Sequence, residues 1–357
     1  MISVMKAVLL AGGLGTRLRP LTLNTPKPVV PIFDRPFLHY QIELLKQLPE
    51  VDEVILSLNY QPAAIERVVG DGSDIGLHIR YVVEPTPLGT GGAVKYASSG
   101  IEDTVIVFNG DVLTDTDLQA ALDLHRRRDA KATIVLTPTE NPSAYGLVET
   151  EEAGDVRRFL EKPSANEITC DTINAGIYIL ETQMFDLIPT ATNWSIERKY
   201  FPSLVARGDT FVAYVHRGYW IDIGTPEKYM QAHRDIMTGA CHAYPFAHGT
   251  TGQPHVAVDA VVDPEAQLEG PCYIAPHARV DAGARITPHS VIGTSVSVGT
   301  GAVIDGAILW PGSVIGSEAT IRHAVLGHDV IVEAQAVVGP GAVIGDKSVI
   351  TRYTHVG

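Results

Sequence analysis

The sequence contains few cysteines and no long apolar run. Only Cys170, Cys241 and Cys272 occur among 357 residues, and they form no CxxC pair. A disulfide framework and a thiolate zinc site are therefore excluded, and a reducing compartment is favoured. No stretch approaches the roughly 18 apolar residues of a membrane span. Because the apolar start at residues 7–11 is too short for a signal sequence, we expect a soluble cytoplasmic protein with no membrane partner.

Positive charge is also scarce. Lys plus Arg number 27 against 41 Asp plus Glu, which gives a formal net charge of −14. Such a surface repels phosphate backbones and argues against a nucleic-acid partner, although a local pocket can still bind a small anion. Hydrophobic residues make up 45% and charged residues 19%, as in a globular protein with a well-filled core. The length predicts two domains.

The first two thirds of the chain alternates short apolar runs with helical periodicity. This pattern predicts an α/β domain at 1–237 with a Rossmann-like, mixed but mostly parallel sheet, whose ligands bind beyond the carboxyl ends of the strands. A linker is expected at 238–255. The predicted strands are Lys6–Leu10, Val54–Leu58, Ile79–Val83, Val105–Phe108, Thr133–Leu136, Ala175–Leu180 and Phe211–Tyr214. The predicted helices are Phe37–Leu48, Ala63–Val69, Leu118–Arg128 and Pro226–Met237.

Residues 256–357 show a different period. Aliphatic residues recur every six positions, with two five-residue steps. They are Val262, Leu268, Ile274, Val280, Ile286, Ile292, Val298, Ile304, Leu309, Ile315, Ile321, Leu326, Val332, Val338, Ile344 and Ile350. A six-residue period predicts a left-handed parallel β-helix of hexapeptide repeats, with about five coils at roughly 18 residues each.

A glycine-rich loop follows the first predicted strand directly. Gly12, Gly13 and Gly15 precede Arg17, and Lys27 lies between two prolines, while residues 1–33 contain no Asp or Glu. Glycines let backbone N–H groups approach a phosphate, and the cations supply charge. The spacing matches neither GxGxxG nor a P-loop. A tight turn with solvated basic residues remains the alternative explanation.

Six motifs in chain order resemble those of the sugar-1-phosphate nucleotidyltransferases. The overall sequence pattern is most similar to that of the mannose-1-phosphate guanylyltransferases. The resemblance covers about residues 5–236, and many members carry a hexapeptide tail. The motifs are Gly13-Leu-Gly-Thr-Arg-Leu-Arg-Pro20 with Pro26-Lys-Pro28, Glu84-Pro-Thr-Pro-Leu-Gly-Thr-Gly-Gly-Ala93, Asn109-Gly-Asp111, Glu161-Lys-Pro163, Asn174-Ala-Gly-Ile-Tyr178 and Trp220-Ile-Asp-Ile-Gly-Thr-Pro226. The resemblance implies an enzyme that makes an NDP-sugar and pyrophosphate from an NTP and a hexose 1-phosphate.

The resemblance also implies the site residues. Arg17, Lys27 and Asp111 are the expected catalytic residues. Asp111 and Asp222 are expected to share Mg²⁺, which suits an ion that prefers one or two carboxylates plus phosphate oxygens. The expected nucleotide-binding residues are Leu10, Ala11, Gly12, Gly13, Gly15, Thr16, Arg17, Glu84, Gly89 and Asp111. The expected sugar-phosphate residues are Lys27, Gly146, Glu161, Lys162 and Asn174, with Glu197 as a further candidate.

Each of these residues also has a plainer explanation. Asp111 and Asp222 suit a turn and a helix cap, and Glu161–Lys162 suits a surface ion pair. Asn174 needs a partner if it is buried. Glu84 either ends a strand exposed or reads guanine, whose two adjacent donors match an acceptor-only carboxylate.

The prediction is therefore GTP plus mannose 1-phosphate, giving GDP-mannose and pyrophosphate in a homo-oligomer. The β-helix is expected to serve either oligomer assembly or inter-domain regulation. Thymidylyl, uridylyl and adenylyl transfer stay open, as does a non-catalytic nucleotide-sugar sensor. An acyltransferase using His277, His289 or His323 is a weaker alternative. We interpret His233, His242, His248 and His255 as solvated histidines around the linker, because their spacing fits no zinc pattern.

Overall fold

The computed structural model describes residues 5–246 and 252–357. It groups them into two compact units, one made of 5–13 with 38–220 and the other of 14–37 with 221–357. The α-helices are α1 (Phe37–Leu45), α2 (Pro62–Val69), α3 (Gly89–Ala97), α4 (Leu118–Arg127), α5 (Phe201–Arg207) and α6 (Pro226–Thr238). No helix among these residues is long and apolar enough to cross a bilayer.

Among residues 5–246, thirteen strands precede the repeats. They are β1 (Met5–Leu10), β2 (Pro31–Ile32), β3 (Arg35–Pro36), β4 (Val51–Leu58), β5 (His78–Val83), β6 (Thr104–Asn109), β7 (Val112–Thr114), β8 (Ala132–Pro138), β9 (Gly146–Thr150), β10 (Val156–Glu161), β11 (Thr172–Glu181), β12 (Phe211–Val215) and β13 (Trp220–Asp222).

The first unit is built on a nine-stranded mixed sheet. Its main path runs β10-β9-β11-β6-β1-β4-β5, and β8 pairs with both β11 and β12. β1, β4, β5 and β6 are parallel, whereas β11 runs antiparallel to β6 and β8. The central strands have buried interiors, as in β1, where Ala7, Val8 and Leu9 expose no surface. The predicted Rossmann-like, mostly parallel sheet is confirmed.

Several elements of this unit were not predicted, among them the short strand β7 and helix α5. Helix α3 was not predicted, because its sequence GTGGAVKYA holds three glycines, which disfavour a helix. The antiparallel hairpin of β9 and β10 was also missed. Helix α3 and this hairpin carry candidate site residues, whereas α5 contributes Phe201 and Leu204 to the core.

In the second unit, residues 252–357 form the β-helix. Three parallel sheets of six strands enclose the core, so the structure has six coils where about five were expected. The sheets consist of His255–Val256, Tyr273–Ile274, Val291–Ile292, Ile308–Leu309, Val325–Leu326 and Val343–Ile344; Val261–Val262, Arg279–Val280, Ser297–Val298, Val314–Ile315, Ile331–Val332 and Val349–Ile350; and Gln267–Leu268, Arg285–Ile286, Val303–Asp305, Thr320–Arg322, Val337–Val338 and His355–Val356. All sixteen predicted aliphatic residues line or pack against this core.

Three histidines of the β-helix lie in turns between its strands. His277, His289 and His323 have φ angles of 58°, 66° and 43°, in the left-handed region. Histidine is one of the residue types enriched there. Other turns of the same coils place Ser295, Asp329 or similar residues in this conformation. Backbone geometry is therefore sufficient to explain why histidines recur in these turns.

The expectation that the linker-region histidines are solvated is wrong for His233. This residue lies on α6 and is 1% exposed. His242 is exposed, His255 is partly buried and stacks on Tyr273, and His248 lies outside the described residues. The sequence analysis grouped His233 with the linker although it belongs to the apolar face of α6, four residues after buried Tyr229.

Candidate active site

Three loops leave the sheet of the first unit at one edge. β1, β4, β5 and β6 are parallel neighbours, so their carboxyl ends lie together. The Ala11 N–H donates to the Ser57 carbonyl (2.9 Å), and the Glu84 N–H donates to the Leu58 carbonyl (2.9 Å). The Gly110 N–H donates to the Leu10 carbonyl (3.1 Å). The start of the glycine-rich loop, Glu84 and the Asn109–Asp111 turn therefore begin at the same edge, where a parallel sheet binds its ligands.

Gly12 and Gly13 have different reasons to be glycine. A Cβ on Gly12 would lie 3.1 Å from Asn59 and 3.4 Å from Glu84 Oε1, so packing restricts this position. A Cβ on Gly13 would meet nothing within 4 Å, and the φ of Gly13 is not in the left-handed region. Neither packing nor backbone conformation among the described residues requires glycine at position 13.

The Glu84 carboxylate is half-buried and already bonded on both oxygens. Oε1 accepts a hydrogen bond from Ser57 Oγ (3.4 Å), and Oε2 accepts one from the Leu88 N–H (2.9 Å). Burial raises the pKa of Glu84, and these two hydrogen bonds partly oppose the rise. Each carboxylate oxygen has two lone pairs, so the group retains the capacity to accept two more hydrogen bonds.

Gly89 begins α3 in the left-handed conformation, with φ 67°. A Cβ there would lie 2.9 Å from both Asn193 Oδ1 and the Trp194 carbonyl oxygen. The Gly91 and Gly92 N–H groups donate to the same carbonyl. The close approach of the Trp194 backbone thus explains glycine at position 89 without any ligand. A contact between Gly89 and a nucleotide stays a prediction.

The turn that carries Asp111 is held tightly. A Cβ on Gly110 would lie 2.5 Å from the Leu10 carbonyl oxygen, which only glycine permits. The side-chain amide of Gln41 donates to the carbonyls of Asn109 (2.8 Å) and Val112 (3.0 Å), on either side of Asp111. The Asp111 side chain is partly exposed. Its backbone is fixed from both sides, which suits a carboxylate that must meet a ligand in one orientation.

A second group of candidates lies around the β9–β10 hairpin. Gly146 pairs with Glu161 across the hairpin, and a Cβ on Gly146 would lie 3.1 Å from Glu161 Oε2. Burial, and then the charge of Glu197, raises the pKa of Glu161, while Lys162 and Arg198 oppose the rise. The exposed Lys162 follows with a φ of 54°. The hairpin therefore places a carboxylate, an ammonium group and a residue without a side chain next to each other.

Asn174 serves the backbone of β11. Its amide donates to the Tyr178 hydroxyl (2.8 Å), and its Oδ1 accepts from the Gly176 N–H (2.9 Å). The register of β11 against β8 shifts between Asn174 and Tyr178. Both hydrogen-bond partners of the partly buried Asn174 thus lie within the strand, where its side chain stabilises this irregularity.

Glu197 was named only as a further candidate, and its hydrogen-bond partners were not predicted. Thr90 Oγ1 and Ser195 Oγ both donate to Glu197 Oε2, at 2.7 and 2.8 Å. Thr90 also accepts from the Ile196 N–H (2.9 Å), so α3 and the segment around Glu197 form one network. Thr90 lies inside the quoted Glu84–Ala93 motif. The Thr90 hydroxyl, a hydrogen-bond donor within that motif, was the feature of the sequence that could have indicated a partner for Glu197.

In the second unit, the glycine-rich loop folds back on itself. Gly15 has a φ of 59° and precedes a 3₁₀ turn at Thr16–Leu18. Thr22 Oγ1 donates to the Gly15 carbonyl (2.7 Å), and a Cβ on Gly15 would lie 3.1 Å from Lys27 Cβ. Lys27 itself is 9% exposed. The loop therefore buries the stem of Lys27 against Gly15.

Asp222 lies among cations. Its Oδ1 is ion-paired with Lys228 Nζ on the first turn of α6. A Cβ on Gly224 would lie 2.7 Å from both Asp222 Oδ2 and Arg17 Nη2. Glycine at 224 thus leaves room for the Arg17 guanidinium beside the Asp222 carboxylate, which is 7% exposed. Lys228 was missed, although it follows Asp222 by only six residues.

The expected site residues are divided between the two units. The first unit holds Leu10, Ala11, Gly12, Gly13, Glu84, Gly89, Asp111, Gly146, Glu161, Lys162 and Asn174, and the second holds Gly15, Thr16, Arg17, Lys27 and Asp222. Within residues 5–246 and 252–357, no three His, Cys, Asp or Glu side chains form a metal cluster. The expected magnesium site uses only two carboxylates, so this finding does not bear on it.

Comparison with protein families assigns most of the chain. Residues 6–239 match the nucleotidyl transferase family, and residues 253–356 match the left-handed β-helix domain described for the EIF2B epsilon subunit. The chain belongs to the sugar-1-phosphate nucleotidyltransferase family. It is therefore an enzyme of this family, with a catalytic region followed by a left-handed β-helix.

Guanylyltransferases and a uridylyltransferase are among the curated relatives of this nucleotidyltransferase. A mannose-1-phosphate guanylyltransferase of Mycobacterium tuberculosis is 39% identical over 86% of this chain and 80% of its own. Mannose-1-phosphate guanylyltransferase 1 of Arabidopsis thaliana is 35% identical over 97% of both chains. A UTP–glucose-1-phosphate uridylyltransferase of Synechocystis is 34% identical over 98% of this chain and 88% of its own.

Solved structures resemble the catalytic region of this nucleotidyltransferase. HddC from Yersinia pseudotuberculosis is 32% identical with a TM-score of 0.57, and the match covers 65% of this chain and 99% of that one. A second structure of HddC, complexed with GMP-PN, matches with a TM-score of 0.56. The similarity thus extends to a protein that has been crystallised with a guanine nucleotide analogue.

Proposed function

We propose that the enzyme transfers the guanylyl group of GTP to mannose 1-phosphate, giving GDP-mannose and pyrophosphate. The observation that carries the choice of base is the half-buried Glu84 carboxylate beside Gly12 at the carboxyl edge of the sheet. Guanine presents N1–H and its 2-amino group as adjacent donors, and a carboxylate accepts from both. The names of the relatives from Mycobacterium tuberculosis and Arabidopsis thaliana support this base and sugar.

The proposed reaction needs no covalent nucleophile. An oxygen of the sugar phosphate attacks the α-phosphorus, the bond from this phosphorus to the bridging oxygen breaks, and pyrophosphate leaves with that oxygen. A phosphate monoester has a second pKa of about 6 and is largely ionised at pH 7. No general base is then required, and the protein's work is to position the two anions and to offset their charge.

The cations of the glycine-rich loop supply that charge in the proposal. Arg17 stabilises the leaving pyrophosphate, and Lys27 with Lys162 brings the sugar phosphate near. The buried stem of Lys27 and the place of Arg17 beside Gly224 support fixed rather than freely moving cations. A fixed cation costs little reorganisation as charge develops.

Asp111 and Asp222 would hold Mg²⁺. The donor set fits, because both residues offer carboxylate oxygens and this ion takes one or two carboxylates with phosphate oxygens and water. The ion would offset charge on the α-phosphate when bound. Lys228 meanwhile balances the charge of the buried Asp222 carboxylate. The Lys228 side chain is 34% exposed, and it pairs with only one of the two Asp222 oxygens, Oδ1.

Two substitutions test the catalytic residues. Arg17→Ala and Asp111→Ala are each expected to lower kcat by about 10²–10³, as loss of one well-placed electrostatic group does. Arg19→Ala is the matched control, since it removes the same charge from the same loop and should change kcat less than about twofold. Equal losses in Arg17→Ala and Arg19→Ala would mean that overall loop charge matters and not a specific contact.

Gly13 offers a cleaner test of the phosphate loop. Because a Cβ there meets nothing within 4 Å, Gly13→Ala should keep the melting temperature of the wild type. A methyl group would nevertheless obstruct a phosphate that approaches the backbone, so KM for the nucleotide should rise. Unchanged KM and unchanged stability together would contradict nucleotide binding at this loop.

Substrate choice is measured directly. Purified enzyme is assayed with GTP, ATP, UTP, CTP and dTTP against mannose 1-phosphate and glucose 1-phosphate, with pyrophosphate release as the readout, with and without Mg²⁺. The highest kcat/KM is expected for GTP with mannose 1-phosphate. Preference for UTP would favour the function named for the Synechocystis relative. No turnover with any pair, but tight binding of GDP-mannose, would favour a nucleotide-sugar sensor.

We also propose that the enzyme acts in the cytoplasm as a homo-oligomer that assembles through the β-helix. Val314, Ile331 and Val349 are in register on neighbouring strands of one sheet and are 46%, 43% and 53% exposed. Apolar residues in a continuous exposed row are typical of an interface. Ile331→Lys should therefore lower the mass measured by sedimentation, whereas a monomeric wild type would refute the proposal.

A further inference from the structure

A buried hydrogen-bond chain joins the β-helix to the segment that follows Lys27. Trp310, on the β-helix, donates through Nε1 to the Tyr229 hydroxyl (2.9 Å). The Tyr229 hydroxyl in turn donates to the Pro31 carbonyl. Trp310 and Tyr229 are both 1% exposed, so water does not compete for these bonds. A side chain of the repeat domain thereby fixes a backbone carbonyl four residues after Lys27.

Helix α6, which carries Tyr229, also contacts Asp222 of the proposed site. Tyr229 directly follows Lys228, whose ammonium group is paired with Asp222. Further along α6, His233 accepts through Nε2 from the Phe33 N–H (3.2 Å). Helix α6 therefore contacts both Asp222, the carboxylate expected to hold the metal ion, and the backbone of Phe33, six residues after Lys27.

The β-helix contacts this segment at further points. The ring of Phe33 packs edge-on against Tyr273 of the second coil, with centroids 5.1 Å apart. At the other end of the β-helix, Asn24 donates to Asp346 Oδ2 (3.3 Å), and a Cβ on Gly345 would lie 3.1 Å from Pro20. Residues 14–37 thus rest on the β-helix before and after Lys27.

We propose that Tyr229 and Trp310 are positioning residues, which hold segment 14–37 in the orientation that presents Arg17 and Lys27 to the phosphates. This inference rests on the proposed function for its consequence in catalysis. Without the two bonds the segment samples other orientations, and the substrate must select the competent one. A ligand's apparent affinity falls in proportion to the competent fraction. The β-helix is then part of what makes the nucleotide bind tightly.

Tyr229→Phe tests the chain with the smallest change. It removes one hydroxyl and keeps the ring that packs on His233 and Trp310. KM for the triphosphate is expected to rise about tenfold while kcat stays within about twofold, because saturating substrate restores the competent orientation. Partial unfolding predicts the opposite result, a lower apparent kcat with unchanged KM.

A second variant and a control complete the test. Trp310→Phe should raise KM similarly, and the double variant should be no worse than Tyr229→Phe alone, because both act through one hydroxyl. Ser313→Ala removes a buried hydrogen bond inside the β-helix, from Ser313 Oγ to the Gly327 carbonyl, and should leave KM unchanged. An equal rise of KM in Ser313→Ala, or additive effects in the double variant, would overturn the inference.

Hydrogen exchange separates this inference from the proposed function. Peptides covering residues 14–37 should exchange faster in Tyr229→Phe and Trp310→Phe than in the wild type or in Ser313→Ala. If the wild type releases no pyrophosphate, the proposed function fails, and this exchange pattern alone then supports the positioning of the segment. Unchanged exchange and unchanged KM in Tyr229→Phe would refute the positioning role, whatever the substrate.

Discussion

Acidification should destabilise the second unit through His233. Both ring nitrogens are used in the neutral form: Nδ1–H donates to the Tyr229 carbonyl (2.9 Å), and Nε2 accepts from the Phe33 N–H (3.2 Å). Burial lowers the pKa of His233 to about 4. Protonation would replace the acceptor at Nε2 by a donor that faces another donor. The folded state therefore resists protonation where the unfolded chain accepts a proton.

The sign and size follow from linkage. With a pKa of about 4 when folded and about 6.5 when unfolded, His233 contributes its stability above pH 6.5 and loses it as the pH falls toward 4. Across the whole window the loss is about 3 kcal/mol, because each pKa unit is worth about 1.4 kcal/mol. Between pH 7 and pH 5 the loss is roughly 2 kcal/mol.

Urea unfolding at pH 7 and pH 5 measures this effect. The wild type should lose roughly 2 kcal/mol more between the two pH values than His233→Gln, which cannot titrate. His242→Gln, at an exposed position, is the control and should retain the wild type's pH dependence. The variant's absolute stability is irrelevant, since only the difference between the two pH values is compared. If His233→Gln showed the same pH dependence as the wild type, the reasoning would be refuted.

Three further substitutions follow from close approaches and carboxylate chemistry. Gly224→Ala should lower kcat at least about tenfold, because its Cβ would displace Arg17 or Asp222; steady-state kinetics tests this. Gly110→Ala should cost about 1–3 kcal/mol in urea unfolding, since its Cβ would meet the Leu10 carbonyl; unchanged stability would contradict the turn geometry. Glu84→Gln should lower kcat/KM for GTP about 10–100-fold relative to UTP, and a retained ratio would exclude Glu84 as the base reader.

The parts of the fold that depend on local period were predictable. Each hexad aliphatic residue faces the β-helix core because of its own position in a repeat, and its burial depends little on distant sequence. Helix α3 is the opposite case. Gly89 and Gly91 are needed because the Trp194 backbone, about a hundred residues later, lies against them, and Gly92 is needed because of the Thr192 carbonyl. These contacts have no local trace in the sequence, so the glycines alone argued against a helix.

The sequence motifs predicted which residues belong to the candidate site, but they did not predict the contacts that these residues make. The motifs named Arg17 and Asp222, but the close approach that makes Gly224 necessary appears only when the chain is folded. His233 had a local signal, since Tyr229, His233 and Met237 follow one face of an amphipathic helix at spacings of four. Its proximity to the histidine-rich linker outweighed that period in the sequence interpretation.

The charges around Glu161 lead to a last prediction with two opposite signs. Its pKa is raised by burial and then by the charge of Glu197, and lowered by Lys162 and Arg198. Glu197→Gln removes the negative charge and keeps an oxygen that can accept from Thr90 and Ser195, so the pKa of Glu161 should fall. Arg198→Gln removes a cation, so the pKa of Glu161 should rise.

If ionised Glu161 binds the sugar hydroxyls, the acid limb of the kcat/KM profile for the sugar phosphate should move to lower pH in Glu197→Gln and to higher pH in Arg198→Gln. General damage to the site would lower kcat/KM in both variants without shifting the pH of the acid limb in opposite directions. That result would contradict a role for Glu161 in sugar binding.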